Sequence, residues 1–230
     1  MAEPAPLTIR RDWPRPDART LAAFKDAPTG FVVDAIGRGG ALDHRIRPVW
    51  AGPHFVGPAL PVWTTARDNL APYAAIAFAK PGDVMLIATG DYEGAAVTGD
   101  AMIGMMRNAG IVAAITDGLV RDVAGIIEVG IPVYARGVTP NSPFKHGPGT
   151  IGLPIAIGGQ AVEAGDLVVG DRDGVVVVPR WRIAEAIEAL AEVRQKESAM
   201  DAAVKSGATT PAWLEARLTG DGVRYVDDEV

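Results

Sequence analysis

The sequence predicts an α/β fold, and three observations carry that prediction. An apolar run at 83–89, a segment with helical spacing at 100–109 and a second apolar run at 111–116 follow one another as strand, helix, strand. Three more apolar runs, at 151–157, 166–170 and 174–179, are separated by Gly-Gly, Gly-Asp and Asp-Gly turn signals. Residues 182–205 carry the pattern of a long amphipathic helix, with Ile183, Ala186, Ile187, Leu190 and Val193 on one face. A chain of 230 residues with 48% hydrophobic and 22% charged residues can bury a sizeable core as one large domain.

Each element has a local reason. Residues 1–16 hold four prolines and mixed charges, which predicts an extended N-terminal arm. A helix is expected over 17–25, with Asp17 in its first turn, and a second over 29–37, closed by Gly37. Short strands are expected at 47–50 and 57–65, then an alanine-rich helix at 69–79. Pro81-Gly82 turns into the 83–89 strand, and a loop leads to Thr98-Gly99-Asp100, where the next helix starts. Ala101, Met102, Met105, Met106 and Ala109 lie at helical spacing, and Gly110 closes that helix. The 111–116 strand stops at the Asp117-Gly118 turn. A short helix to residue 129, a strand at 131–135 and a loop at 139–150 follow. The expected organisation is an arm (1–16), one domain (17–206) and a C-terminal extension (207–230) with a helical turn or two.

Composition excludes several classes. A net charge of −6 without a dense basic run argues against a nucleic-acid partner. No apolar run is long enough to span a bilayer, and the N-terminus lacks the basic-then-apolar pattern of a signal peptide. With no cysteine there is no disulfide, thiolate metal site or cysteine nucleophile, which fits a cytoplasmic protein. His44, His54 and His146 are scattered without ligand spacing, so no histidine zinc site is expected.

The chemistry is concentrated in Asp100, a gap of twenty residues, and Arg121-Asp122. Strand, helix, strand makes a crossover unit with parallel strands. A helix of roughly ten residues descends about 15 Å and a strand of roughly six climbs about 20 Å back. The start of the helix and the turn after the second strand therefore share the carboxyl edge of the sheet, where open α/β sheets bind ligands. Gly-Asp pairs also occur at 82–83, 90–91, 165–166 and 170–171, so residue type alone gives Asp100, Asp117 and Asp122 turn and cap roles. Arg121 separates the two readings: a guanidinium directly after an apolar strand, beside a carboxylate and a helix start, suits a carboxylate or a developing enolate oxygen. Backbone N–H groups around Gly99–Met102 add an anion cradle. Magnesium commonly takes one or two protein carboxylates and fills its remaining positions with water and substrate oxygens, so the set describes a hard-metal site.

These residues also carry a resemblance. Asp117-Gly-Leu-Val-Arg-Asp122, Pro132-Val-Tyr-Ala-Arg-Gly137 and the stretch from Gly165 to Pro179 are similar to the class II pyruvate aldolases of the regulator-of-ribonuclease-activity A (RraA) superfamily, as are Asp34-Ala-Ile-Gly, Val56-Gly-Pro-Ala and Asp68-Asn69. Those include the 4-hydroxy-4-methyl-2-oxoglutarate/4-carboxy-4-hydroxy-2-oxoadipate aldolases. The resemblance spans roughly residues 20–200. It implies a layered mixed sheet with flanking helices, of the swivelling β/β/α type, and a metal-dependent lyase that releases pyruvate from a small 4-hydroxy-2-oxo acid. It implies Mg2+, Mn2+ or another divalent metal on Asp122, with Asp100 holding it through water. Arg121 would bind the oxo group and enolate, and the backbone at Gly99, Ala101 and Met102 the substrate carboxylate. A glutamate from a neighbouring subunit, Glu197 or else Glu192, would complete the site in a homotrimer or homohexamer. Oxaloacetate decarboxylation should accompany the aldol cleavage, since both pass through pyruvate enolate. The alternative within the superfamily is a non-enzymatic, ribonuclease-binding regulator. A methyltransferase reading finds no glycine-rich nucleoside loop; Gly158-Gly159 lacks the strand-to-helix context. Arg136, His146, Tyr92 and Glu93 are secondary candidates for lining the cleft.

Overall fold

Ten residues, Phe55–Thr64, form the longest strand of the structure, a computed structural model that describes residues 5–226. That strand organises a nine-stranded mixed sheet. On one side it pairs in parallel with Val84–Ala88, which is followed outward by Ala113–Thr116 and Val133–Ala135, also parallel, and by the antiparallel edge Arg47–Pro48. On its other side its two halves take different antiparallel partners: Leu167–Gly170 along residues 55–58, and Gly149–Ile151 along 62–64. Val175–Val178 pairs with Leu167–Gly170, and Leu7–Ile9 with Gly149–Ile151. The expected α/β class and the parallel pairing of the two strands around the Asp100 helix are both observed.

Alternation along the central strands sorts the core into two layers. Met85 and Ile87 lie in one cluster with Ala71, Ala75, Met102, Ile103, Met106 and Ile126 from the helices. Val84, Leu86 and Ala88 lie in the other, with Ile155, Ile157, Val162, Val168, Val175 and Val177 from the β-hairpins. Helices thus cover one face of the sheet, and the separate hairpin of Ile155–Ile157 and Gln160–Val162 packs on the other. Within the helix Asp100–Asn108 the buried stripe is Met102, Ile103 and Met106; Met105 and Ala101, which the spacing puts on the same face, are exposed.

Several elements differ from expectation for identifiable reasons. The 151–157 run is two strands, Gly149–Ile151 and Ile155–Ile157, broken where Gly152 turns at φ +71° and Pro154 follows. The end of the expected 139–150 loop is therefore strand. Gly158 and Gly159, at φ +54° and +79°, make a two-residue hairpin turn to Gln160–Val162, a strand too short to be read from its sequence. The 69–79 helix is Leu70–Ala75 continued by a 3-10 turn, Ile76–Phe78. In the helix Ile183–Lys205 only Ile183, Ala186 and Leu190 are buried.

Packing divides the chain into two units, residues 1–190 and 191–230. The first holds the sheets and both core clusters. The second contains the later part of Ile183–Lys205 and the short helix Leu214–Leu218, and none of its described residues is buried. Among the described residues, no helix is long and apolar enough to cross a membrane.

The proline-rich arm is integrated into the first unit. Leu7–Ile9 is an edge strand, Trp13 is buried, and Arg15 reaches Asp83 with two hydrogen bonds, 2.7 and 2.8 Å. The Arg15 guanidinium also lies 4.3 Å from the Trp13 ring centroid. Asp83 is fully buried, so removing its cation strands a charge in the core. Arg15→Ala is expected to destabilise the protein by about 3 kcal/mol. A drop in the urea midpoint checks this, and Lys80→Ala, which leaves the backbone N–H of residue 80 on Asp83, should have little effect.

Candidate active site

Three consecutive parallel strands of the main sheet each continue into a short strand of a second sheet. Val84–Ala88 leads to Ala96–Thr98, Ala113–Thr116 to Leu119–Val120, and Val133–Ala135 to Gly137–Val138. The short strands are parallel and keep the order of the long ones. This second sheet places the site. Thr98 is followed by Gly99 and the helix Asp100–Asn108; its neighbour Val120 is followed by Arg121, Asp122 and the helix Val123–Val129. The Arg121 N–H donates to the Thr98 carbonyl at 3.1 Å, locking the two strand-to-helix turns together.

The turns converge on one narrow cleft, partly open to solvent, lined among others by Thr98, Gly99, Asp100, Ala101, Met102, Arg121 and Asp122. Arg121 Nε lies 3.1 Å from Asp122 Oδ2, and its Nη1 donates to Ser142 Oγ at 2.7 Å. Both members of this ion pair are roughly two-fifths exposed, so the pair adds little stability. Asp122 sits in the left-handed region, φ 58° and ψ 44°, a conformation that aspartate and asparagine tolerate better than most residues. The Ala101 N–H donates to the Asp100 carboxylate at 2.6 Å, so one of the amides expected for a substrate is held by the helix's own first residue.

Two bare positions make the room. A Cβ on Gly99 would lie 2.5 Å from Asp122 Oδ2 and 3.0 Å from Arg121 Cγ. Gly99 has extended φ and ψ that any residue adopts, so space alone accounts for the glycine. A Cβ on Gly125, inside the helix Val123–Val129, would lie 2.4 Å from Asp100 Oδ2.

The donor set fits a hard divalent cation. Asp100 and Asp122 supply two carboxylates to one cleft, within magnesium's usual complement of one or two. Among the described residues no cluster of three or more His, Cys, Asp or Glu converges to hold a metal. Glu197 is half-buried and Glu192 exposed, 3.7 Å from Lys196, both in the second unit.

The other sequence candidates are accounted for by packing. Asp117 is buried and accepts from the Thr89 N–H at 2.6 Å and the Thr89 hydroxyl at 2.8 Å; burial raises its carboxyl above the ordinary range. Arg136, its side chain 7% exposed, pairs with Asp91 at 2.7 Å and reaches Glu93 at 3.7 Å. Together they anchor the loop that enters Ala96–Thr98. His146 is exposed, and its backbone N–H donates to Asp68 Oδ2 at 2.6 Å. Cleft residues that sequence reasoning left unassigned are Asn69, Tyr73 and Pro143, with Ser142 joined to Arg121. Asn69 reads in sequence as the first residue of the alanine-rich 69–79 helix and as part of the Asp68-Asn69 resemblance, and 142–143 as ordinary loop; no periodicity gives any of them a place in the cleft.

Comparison with known proteins agrees with this architecture. The family described as RraA-like, Aldolase/RraA, matches residues 29–177. A protein of Halalkalibacterium halodurans named "Putative 4-hydroxy-4-methyl-2-oxoglutarate aldolase" is 34% identical over 200 residues, covering 86% of this chain and 95% of that one. A crystal structure of an uncharacterized protein from Pseudomonas syringae pv. tomato superposes with a TM-score of 0.76 at 26% identity, over 89% of this chain and 100% of that one. Streptomyces coelicolor RraAS2, described as an unusual member of the RNase ES inhibitor RraA protein family, superposes with a TM-score of 0.72 at 25% identity, over 81% of this chain and 98% of that one. With the two-sheet core and the paired turns of Asp100 and Arg121-Asp122 in place, the chain belongs to the RraA-like aldolase family.

Proposed function

We propose that the protein is a divalent-metal-dependent lyase that cleaves a small 4-hydroxy-2-oxo acid to pyruvate by retro-aldol chemistry. The observation that supports this most is the convergence of Asp100, Arg121 and Asp122 on one cleft, with Gly99 and Gly125 left bare beside them. Asp122 would hold a magnesium or manganese ion directly and Asp100 through water, and the ion would supply Lewis-acid polarisation of the 2-oxo group.

The chain's own groups account for the remaining work. The Met102 N–H, and the Ala101 N–H once Asp100 releases it, bind the substrate carboxylate at the start of the helix. Arg121 faces the 2-oxo oxygen, and its charge matters most as that oxygen becomes an enolate. A water held by Asp100 takes the 4-hydroxyl proton. The C3–C4 bond breaks, C4 leaves as a carbonyl, and the electron pair moves into the enolate. The same water returns the proton to C3 and gives pyruvate. Oxaloacetate would lose carbon dioxide by the same route. A single chain brings two carboxylates to the cleft, which suits completion by Glu197 of a neighbouring subunit in a trimer or hexamer.

The test is pyruvate release from 4-hydroxy-4-methyl-2-oxoglutarate and from oxaloacetate, with magnesium or manganese and then with a chelator. Chelation should lower both rates about a hundredfold or more. Rates indifferent to the chelator would contradict the proposal. The second reading, a ribonuclease-binding regulator, draws on the likeness to RraAS2. Inhibition of a ribonuclease that survives loss of Asp100, Arg121 and Asp122 together would favour it.

A further inference from the structure

Asn69 is the first residue of the turn into Leu70–Ala75, where an asparagine ordinarily uses its side-chain oxygen to cap the helix. Here it does not. Asp68 Oδ1 accepts from the Leu70 N–H at 2.9 Å, and the Asn69 side chain makes no capping bond. Its amide turns instead to the strand Ala96–Thr98. Nδ2 donates to the Val97 carbonyl at 3.1 Å, which fixes the flip of the amide, because the oxygen could not make that contact. Asn69 is 5% exposed and lines the cleft of Asp100, Arg121 and Asp122, and its Oδ1 is buried with no hydrogen-bond donor from the protein. A buried acceptor without a donor is costly, so a group that enters this cleft gains by bringing one.

We infer that Asn69 recognises the 4-hydroxyl of the substrate; the inference rests on the lyase reading of the cleft. At neutral pH a 4-hydroxy-2-oxo diacid carries two carboxylates, a ketone and one hydroxyl, and the hydroxyl is its only hydrogen-bond donor. Of the other groups proposed to hold the substrate, the guanidinium and the helix-start amides are donors, and the base, the Asp100-held water, is not part of the protein. Asn69 Oδ1 supplies the missing acceptor. An amide oxygen is too weak a base to keep the proton, so Asn69 holds the hydroxyl in the bound ground state, and rotation about the C4–O bond then turns its single proton to the Asp100-held water, which removes it. The cleft thereby distinguishes 4-hydroxy acids from 4-deoxy ones, since a deoxy acid leaves Oδ1 unpaired.

Carbon dioxide release from oxaloacetate gives a readout that does not need the hydroxyl. In the parent protein, 4-hydroxy-4-methyl-2-oxoglutarate should compete with that reaction about 10- to 100-fold more tightly than its deoxy counterpart, 4-methyl-2-oxoglutarate. In Asn69→Ala and Asn69→Leu the preference should shrink to about threefold or less. The retro-aldol kcat/KM should fall about tenfold or more further than kcat/KM for oxaloacetate. A parent protein that does not prefer the hydroxy acid overturns the assignment without any variant. So does an unchanged preference in the variants, or an equal fall in both reactions, which marks a merely structural role. If the parent protein attacks neither compound with metal present, the lyase reading itself fails and this assignment falls with it.

Discussion

Asp122→Asn should lower pyruvate release about a thousandfold or more while leaving the melting temperature within a few degrees of the parent. The size follows from what is removed. Asp122 is the carboxylate that would hold the cation directly, and loss of Lewis-acid stabilisation takes several kcal/mol from the transition state. The small thermal effect follows from geometry. Its partner Arg121 is 3.1 Å away and both side chains are partly exposed, a pairing worth about 0–1 kcal/mol. Asparagine also tolerates the left-handed backbone at φ 58°, whereas alanine adds strain and would mix a folding effect with the chemical one. Parallel assays and melts of the asparagine variant check the expectation. Retention of more than about a tenth of the activity would remove Asp122 from the metal site.

Gly99→Ala is expected to cost about 10- to 100-fold in kcat/KM with a stability change under about 1 kcal/mol. The added Cβ would stand 2.5 Å from Asp122 Oδ2 and 3.0 Å from Arg121 Cγ. Neither obstacle is backbone. Both are side chains with freedom to swing toward solvent, so the fold absorbs the methyl and the site does not. Alanine is at ease in the extended conformation at φ −148°, so no backbone penalty obscures the result. Displacing two reacting groups by about an ångström is enough for a loss of that order. Steady-state kinetics beside a chemical melt check it, and an active Gly99→Ala protein would mean that Asp122 and Arg121 work from positions other than those seen.

The fold was legible where hydrophobic periodicity is long enough to read. Val84–Ala88 and Ala113–Thr116 announce themselves as apolar runs between glycines, and the helix between them ends where Gly110 turns at φ +84°. That was enough to put Asp100 and Arg121-Asp122 at one sheet edge. The device that brings them together was not legible. Leu119–Val120 and Gly137–Val138 are two residues each, too short for any period, and they form strands because neighbouring backbones offer parallel partners. The burial of Trp13 and the ion pair of Arg15 with Asp83 were hidden for a similar reason: a proline-rich segment reads as an arm until a distant carboxylate claims it. Asn69 was hidden differently. It sits where an asparagine is ordinary, and only the hydrogen bonds of Asp68 and Val97 show that its oxygen is not used for the helix.

Titration of Mn2+ into the protein by calorimetry, with and without oxalate as a planar mimic of pyruvate enolate, tests the central claim most directly. Manganese should bind the parent protein, oxalate should tighten that binding, and Asp122→Asn should abolish both effects. Oxalate that binds equally well without the metal, or manganese that binds the asparagine variant as tightly as the parent, would contradict the account.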